Sequence, residues 1–157
     1  MNSFPKRLLS LASGRYSGEG VNHDQEPFVG LLQLRYLIGE AGLGLTFTAT
    51  GVGGEVYHEE ETLLAPGPTG ELVLATLNSN DPSLRTYELR REDSEGESEH
   101  TYVFGTGDPS AGDTFRCEIS LDLHENGDLG YRYAWGVPGG EFAERSSVRM
   151  RKERHER

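Results

Sequence analysis

No segment long enough for a crossover helix separates one strand-like run from the next between residues 14 and 151, and this feature dictates the topology. Phe115, Cys117, Ile119, Leu121 and Leu123 alternate with Arg116, Glu118, Ser120, Asp122 and His124, a period of two that predicts a half-buried strand. Leu129, Tyr131, Tyr133 and Trp135 repeat the pattern after Glu125-Asn126-Gly127-Asp128, which reads as a hairpin turn. Leu43, Leu45, Phe47 and Ala49 alternate with Gly44, Thr46, Thr48 and Thr50, and Tyr102 and Phe104 follow an acidic turn around Asp93–Glu99. Glycine- and proline-rich stretches at 51–54, 66–70, 78–82, 105–112 and 136–140 punctuate the strands. The spacing predicts about ten strands, at 14–22, 28–38, 43–50, 55–64, 71–78, 84–92, 99–105, 114–124, 129–136 and 142–151, with a short helix over 5–13. Parallel pairing needs crossovers that are absent, so the strands form an antiparallel meander. A meander this long hides its edges by closing or by folding into a sandwich, and even hairpin spacing favours closure. The expected fold class is all-β: a closed antiparallel up-and-down β-barrel with a short N-terminal helix. It forms a single domain over 1–151, and a charged tail follows at 152–157. At roughly eight to ten strands such a barrel has room for a small ligand.

Charge and cysteine content remove several functions. The 157 residues carry 26 acidic against 15 Lys and Arg side chains, a formal net charge of −11, which argues against nucleic acid as a partner. The basic end, Arg145 to Arg157, reads as a last strand and a solvated tail attracted to its own acidic body. Cys117 is the only cysteine, so no intrachain disulfide or cysteine-based zinc site is available. No apolar run approaches the ~18 residues of a membrane-spanning helix. The run after Lys6 and Arg7 is shorter than the apolar core of an export signal, so the expected compartment is the cytoplasm and no membrane partner is expected. Leu31, Leu32, Leu34, Leu37 and Ile38 populate both faces of one strand, and outward apolar positions there would mark a homodimer surface.

Three segments resemble a known family. Gly14-Arg15-Tyr16-Ser17-Gly18-Glu19-Gly20 resembles the glycine-aromatic opening of nitrobindin-type barrels, members of the calycin superfamily with the lipocalins and fatty-acid-binding proteins. Gly53-Gly54-Glu55-Val56-Tyr57-His58-Glu59-Glu60-Glu61 is similar to that family's strand in which a histidine and a glutamate precede a turn, and Pro66 to Ala75 resembles its next hairpin. The matches cover roughly the first half of the chain. The resemblance implies a barrel whose first strand closes one end beneath the N-terminal helix. Nitrobindin-type barrels bind haem through a histidine on a strand near the C-terminus. The corresponding strand here, Glu141 to Met150, has none, His155 lies beyond it in the tail, and His124 lies two strands earlier. No cofactor is therefore expected, with haem as the alternative.

The candidate site residues follow from strand parity. His23, His58, His100, His124 and His155 show no metal-ligand spacing, so no metal is expected. His58 and Glu60 share a strand face, as an ion pair or hydrogen-bonded pair, because two ligands alone rarely hold zinc. Arg85 and Tyr87 share another face, with the rigid fork and hydroxyl that suit a carboxylate. Tyr131, Tyr133 and Trp135 form an aromatic stripe suited to a barrel lining or ligand wall, and Tyr36 joins it from the second strand. There is no Gly-x-Ser-x-Gly, phosphate-binding loop or dinucleotide fingerprint, and Cys117 reads as a core residue, so no catalysis is expected. The expected function is binding of a small hydrophobic or amphipathic ligand by Tyr36, His58, Arg85, Tyr87, Tyr133 and Trp135. The alternatives are a haem-binding nitrobindin-like protein handling nitric oxide or peroxynitrite, and a filled barrel acting as an interaction domain.

Overall fold

A computed structural model describes residues 4–11, 13–96 and 98–154. One short helix, α1 (Lys6–Leu9), precedes ten strands: β1 (Gly14–Val21), β2 (Pro27–Tyr36), β3 (Leu43–Gly51), β4 (Val56–Pro66), β5 (Leu72–Asn78), β6 (Asp81–Glu95), β7 (Glu99–Thr106), β8 (Arg116–His124), β9 (Leu129–Gly136) and β10 (Ala143–Lys152). Each strand pairs antiparallel with the next, and β1 pairs with β10 to close the barrel. The all-β closed meander read from the sequence is the fold observed. No helix among the described residues is long and apolar enough to cross a membrane.

Closure depends on the first strand. A Cβ on Gly18 would lie 2.0 Å from the Arg149 carbonyl oxygen, and one on Gly20 would lie 2.4 Å from that of Ser147. Only glycine lets β1 approach β10 this closely, which explains the glycines around Tyr16. Beyond the seam, Glu153 N–H donates to the Arg15 carbonyl at 2.7 Å, so the chain still follows β1 past the end of β10. His155 lies outside the described residues.

Helix α1 is shorter than the expected 5–13. Ser10 turns its hydroxyl back onto the Arg7 carbonyl at 2.5 Å, and Gly14 takes φ +135° as the chain swings into β1. Ala12 lies outside the described residues. Phe4, Leu8 and Leu11 join Tyr16 and Leu123 in the core, so this segment plugs the end of the barrel where β1 begins. Two hairpins are tighter than expected. β5 and β6 turn over Ser79-Asn80 alone, with Asn78 facing Asp81, and Pro82 lies on the strand where regular pairing lapses. The acidic residues Asp93–Glu95 pair with Thr101–Glu99 instead of forming the turn.

The largest departure concerns β8. Its outward residues were expected in solvent, yet Arg116, Glu118, Ser120 and Asp122 are only 4, 7, 8 and 5 % exposed. Long side chains from neighbouring strands cover them. Arg91 reaches Glu118 at 3.1 Å, and Arg132 binds both oxygens of Asp122 at 2.6 and 2.7 Å. Strand β2 behaves as its mixed pattern allows. Phe28, Leu32 and Leu34 are buried, while Val29 is exposed, and Ile38, expected at the end of this strand, lies exposed in the 3-10 turn Ile38–Glu40 that follows it.

Candidate functional site

Strand parity aims His58, Glu60, Thr62 and Leu64 of β4 into the barrel, and Leu129, Tyr131, Tyr133 and Trp135 of β9 do the same from the far wall. β4 and β9 stand five strands apart in either direction around the ring, so they face each other across the lumen. Glu60, only 3 % exposed, bridges that gap. Its Oε1 accepts from Thr62 Oγ1 at 2.6 Å and from the Tyr131 hydroxyl, and its Oε2 accepts from His58 Nε2 at 2.9 Å and from the Tyr133 hydroxyl. Asn80 Nδ2 donates to His58 Nδ1 at 2.9 Å, which leaves the Nε2 proton for the carboxylate.

Burial alone would raise the Glu60 carboxyl. Hydrogen bonds from His58, Thr62, Tyr131 and Tyr133 outweigh it and hold the group below its ordinary 4.5. The Tyr131 and Tyr133 hydroxyls are pushed well above 10, chiefly by burial and further by the negative charge they face. The cluster is thus a buried carboxylate in an aromatic setting. Phe47 meets Tyr131 edge-on at 5.2 Å, Tyr131 meets Tyr133 at 5.6 Å, and His58 meets Tyr133 at 5.9 Å.

This bridge divides the barrel. Toward α1 the inward residues are fully buried, Leu32, Leu34, Leu45 and Leu64 among them. Toward the opposite end, which we term the mouth, His58, Tyr133 and Trp135 face inward yet remain partly exposed, the His58 side chain at 17 %. The mouth is also where pairing becomes irregular. Tyr57 is an extra residue between His58, opposite Ala49, and Val56, opposite Thr50. Arg145 is an extra residue between Glu144 and Ser146. A third irregularity separates Asn78 from Thr76. Such bulges re-aim side chains. Arg145 lies over the Trp135 ring at 4.8 Å and is held by the Glu141 carbonyl at 2.6 Å, while His23 meets Trp135 edge-on at 5.9 Å. Arg116 fixes the two longest mouth loops. Its guanidinium donates to the Val137, Gly140 and Thr114 carbonyls at 2.9, 2.7 and 3.2 Å.

The six expected binding residues do not all meet. His58, Tyr133 and Trp135 line the mouth half. Tyr87 is buried beside Cys117, whose thiol is pushed up to about 12 mainly by burial. Arg85 shares that face but stops at the rim, paired with Asp81 and lying 5.3 Å over the Phe115 ring, so the guanidinium and phenol do not act as one clamp. Tyr36 is a correction. β2 ends at the plugged side, where the Tyr36 hydroxyl donates to the Leu11 carbonyl at 2.8 Å and fastens the helical segment, with the barrel's length between it and Trp135. Sequence reading missed Tyr131 and Thr62 as partners of Glu60, Asn80 as the partner of His58, and Arg145 as a lining residue. Parity exposed the first two, since Thr62 continues the face of His58 and Glu60. Nothing in the sequence betrayed the bulge that turns Arg145.

A separate cleft of about 1130 Å³ lies at the plugged end, outside the barrel, with Leu11, Tyr16 and Leu123 in its lining beside charges of both signs. Among the described residues, no three His, Cys, Asp or Glu side chains converge as a metal site.

Fold and site define a closed ten-stranded antiparallel β-barrel, plugged at one end and bridged internally by a buried carboxylate cluster. Fourteen chains of known structure match it. Among them is the crystal structure of Rv2717c from M. tuberculosis, with a TM-score of 0.70 over 97 % of this chain and 100 % of that one, at 14 % identity. At that identity the likeness is one of fold. No family model matches the chain, and no curated protein matches its sequence.

Proposed function

We propose that this barrel is a binding protein that takes a small amphipathic ligand into its mouth half, above the Glu60 bridge, and performs no chemistry on it. The observation that carries this reading is the contrast in burial. His58, Tyr133 and Trp135 point inward but reach solvent, whereas equivalent residues on the plugged side are sealed. An aromatic wall with a few fixed polar groups at its floor is the usual composition of a small-molecule site. The bulges that aim Arg145 and adjoin His58 support the same end of the barrel. The inward Cys117 thiol, with its raised pKa, is a poor nucleophile.

The calycin kinship suggested by the glycine-aromatic opening fits this reading and belongs to the proposal. Haem ligation of the nitrobindin kind does not fit the residues present. β10 carries no histidine, and both ring nitrogens of the inward His58 are engaged by Glu60 and Asn80. The filled-barrel alternative fits the plugged half, where Leu32, Leu34, Leu45 and Leu64 are sealed.

Native mass spectrometry of freshly purified protein tests the proposal. A stoichiometric small-molecule adduct is expected, and Trp135→Ala should lose it while keeping the barrel's far-ultraviolet spectrum. An adduct held equally well by Trp135→Ala would move the site elsewhere. A clean apo mass from several preparations, with no quenching of the lone tryptophan by a ligand panel, would overturn the reading.

A further inference from the structure

The charge distribution narrows the ligand class, an inference that rests on the mouth being the binding site. The five connections at the mouth are 22–26, 52–55, 79–80, 107–115 and 137–142. They contain Asp24, Glu26, Glu55, Asp108, Asp113 and Glu141 and not one Lys or Arg. The nearby cations are already committed. Arg85 is paired with Asp81, Arg90 with Glu118 and the Gly107 carbonyl, Arg116 is enclosed by carbonyl oxygens, and Arg145 lies over the Trp135 ring. Below this rim lies the Glu60 carboxylate, held by four hydrogen-bond donors in a box formed by Phe47, His58, Tyr131 and Tyr133. A negative rim focuses cations toward the opening, and aromatic faces around a buried carboxylate attract them at close range.

We propose that the mouth selects organic cations: amines or amidines carrying an aromatic or aliphatic body. The two oxygens of Glu60 differ in a way that gives the ligand a destination. Oε1 is held by the buried Tyr131 and Thr62, and Oε2 by the partly exposed His58 and Tyr133. An ammonium arriving from the mouth meets the Oε2 side. There it takes the place of the Tyr133 or His58 donor, while the Oε1 side keeps the bridge intact. The apolar body then lies against Trp135. Arg145 over that ring shows that the same wall already accommodates a planar cation.

The experiment compares probes that differ only in charge. 2-Phenylethylamine, 2-phenylethanol and 3-phenylpropanoate, and dodecylamine, dodecanol and dodecanoate below their micellar concentrations, are titrated by calorimetry and by Trp135 fluorescence. The amine of each set is expected to bind about tenfold more tightly than its alcohol, with the carboxylate weakest. Glu60→Gln should bring amine and alcohol to near-equal affinity. If that variant fails to fold, Asp24→Asn combined with Asp113→Asn and Glu141→Gln, all exposed, should weaken amine binding roughly two- to fivefold at low salt and leave the alcohol unchanged. An alcohol or carboxylate that binds as well as its amine, with Trp135 still reporting, overturns the ligand class and leaves the mouth as the site. An amine preference that survives Glu60→Gln in folded protein overturns the role given to that carboxylate. Failure of all six probes to perturb Trp135 overturns the class and the site together.

Discussion

Replacing Glu60 by Gln is the most informative single perturbation of the barrel interior. The carboxylate accepts four hydrogen bonds, and a hydrogen bond to a charged group contributes about 1.5–3 kcal/mol. A glutamine carbonyl can keep the Tyr131 and Thr62 donors, but its amide nitrogen then confronts the Tyr133 hydroxyl and His58 Nε2 as a donor facing donors. Two charge-assisted bonds are lost. Removing a charge from a buried position recovers several kcal/mol of desolvation, and the partly exposed His58 and Tyr133 can turn to water. The net loss is then about 1–3 kcal/mol, or roughly 2–12 °C in Tm for a chain of this size. The pH dependence separates this account from a simple packing defect. Glu60 is held below 4.5 in the folded protein, so its stabilisation is present above the unfolded value and is lost as pH falls through the folded one. Urea unfolding followed by Trp135 fluorescence should give a gap between wild type and variant at pH 7 that narrows progressively as pH falls below about 4.5. A variant as stable as wild type at pH 7, or a gap as wide at pH 3 as at pH 7, would refute the claim that an ionised carboxylate holds the two walls together.

Three further outcomes follow from the geometry. Gly18→Ala places a methyl group 2.0 Å from the Arg149 carbonyl, so the β1–β10 seam should open, with loss of amide protection in β10 and about 3 kcal/mol or more of stability; a fully protected β10 would disprove the close approach. Arg116→Met leaves the Val137, Gly140 and Thr114 carbonyls without their donor and should raise hydrogen exchange across 107–115 and 137–142 before the strands respond. Tyr36→Phe should cost about 1 kcal/mol and loosen the segment around Leu11 without changing any ligand affinity, since the hydroxyl serves the plug and not the mouth.

The fold was legible because an antiparallel meander writes itself in local signals. Alternation marks each strand, glycine-rich turns mark each end, and the lack of crossover helices leaves closure as the outcome. The site was half legible by the same means. His58 with Glu60, and Tyr133 with Trp135, came from parity alone, because parity says which residues face inward. It does not say which inward residues meet across a lumen, so the joining of β4 to β9 through Tyr131 stayed hidden. Nor does it report direction along the barrel, which is why Tyr36 was grouped with Trp135 although the two stand at opposite ends. Bulges escaped for a related reason. One inserted residue at Arg145 or Tyr57 resets parity locally without any distinctive residue to announce it. The buried outer face of β8 was missed because charged residues read as solvated, and only the structure shows Arg91 and Arg132 lying across it.

The bridge explains how one barrel can be tied across its lumen without an apolar filling at that level. A hollow barrel of ten strands leaves its walls free to breathe against one another, and an apolar filling would stop that at the cost of the lumen. Tying β4 to β9 through a single carboxylate fixes the walls at one level and fills only that level. The plugged half then packs as an ordinary core around Leu8, Tyr16 and Leu32, and contributes most of the apolar burial. The mouth half is relieved of that task, so it tolerates bulges, glycine-rich loops and partly exposed rings that would weaken a core. A buried charge is costly in a structure that needs only packing. Its placement between the sealed half and the partly exposed rings is what the proposed binding mode uses, with Glu60 as the floor of the site.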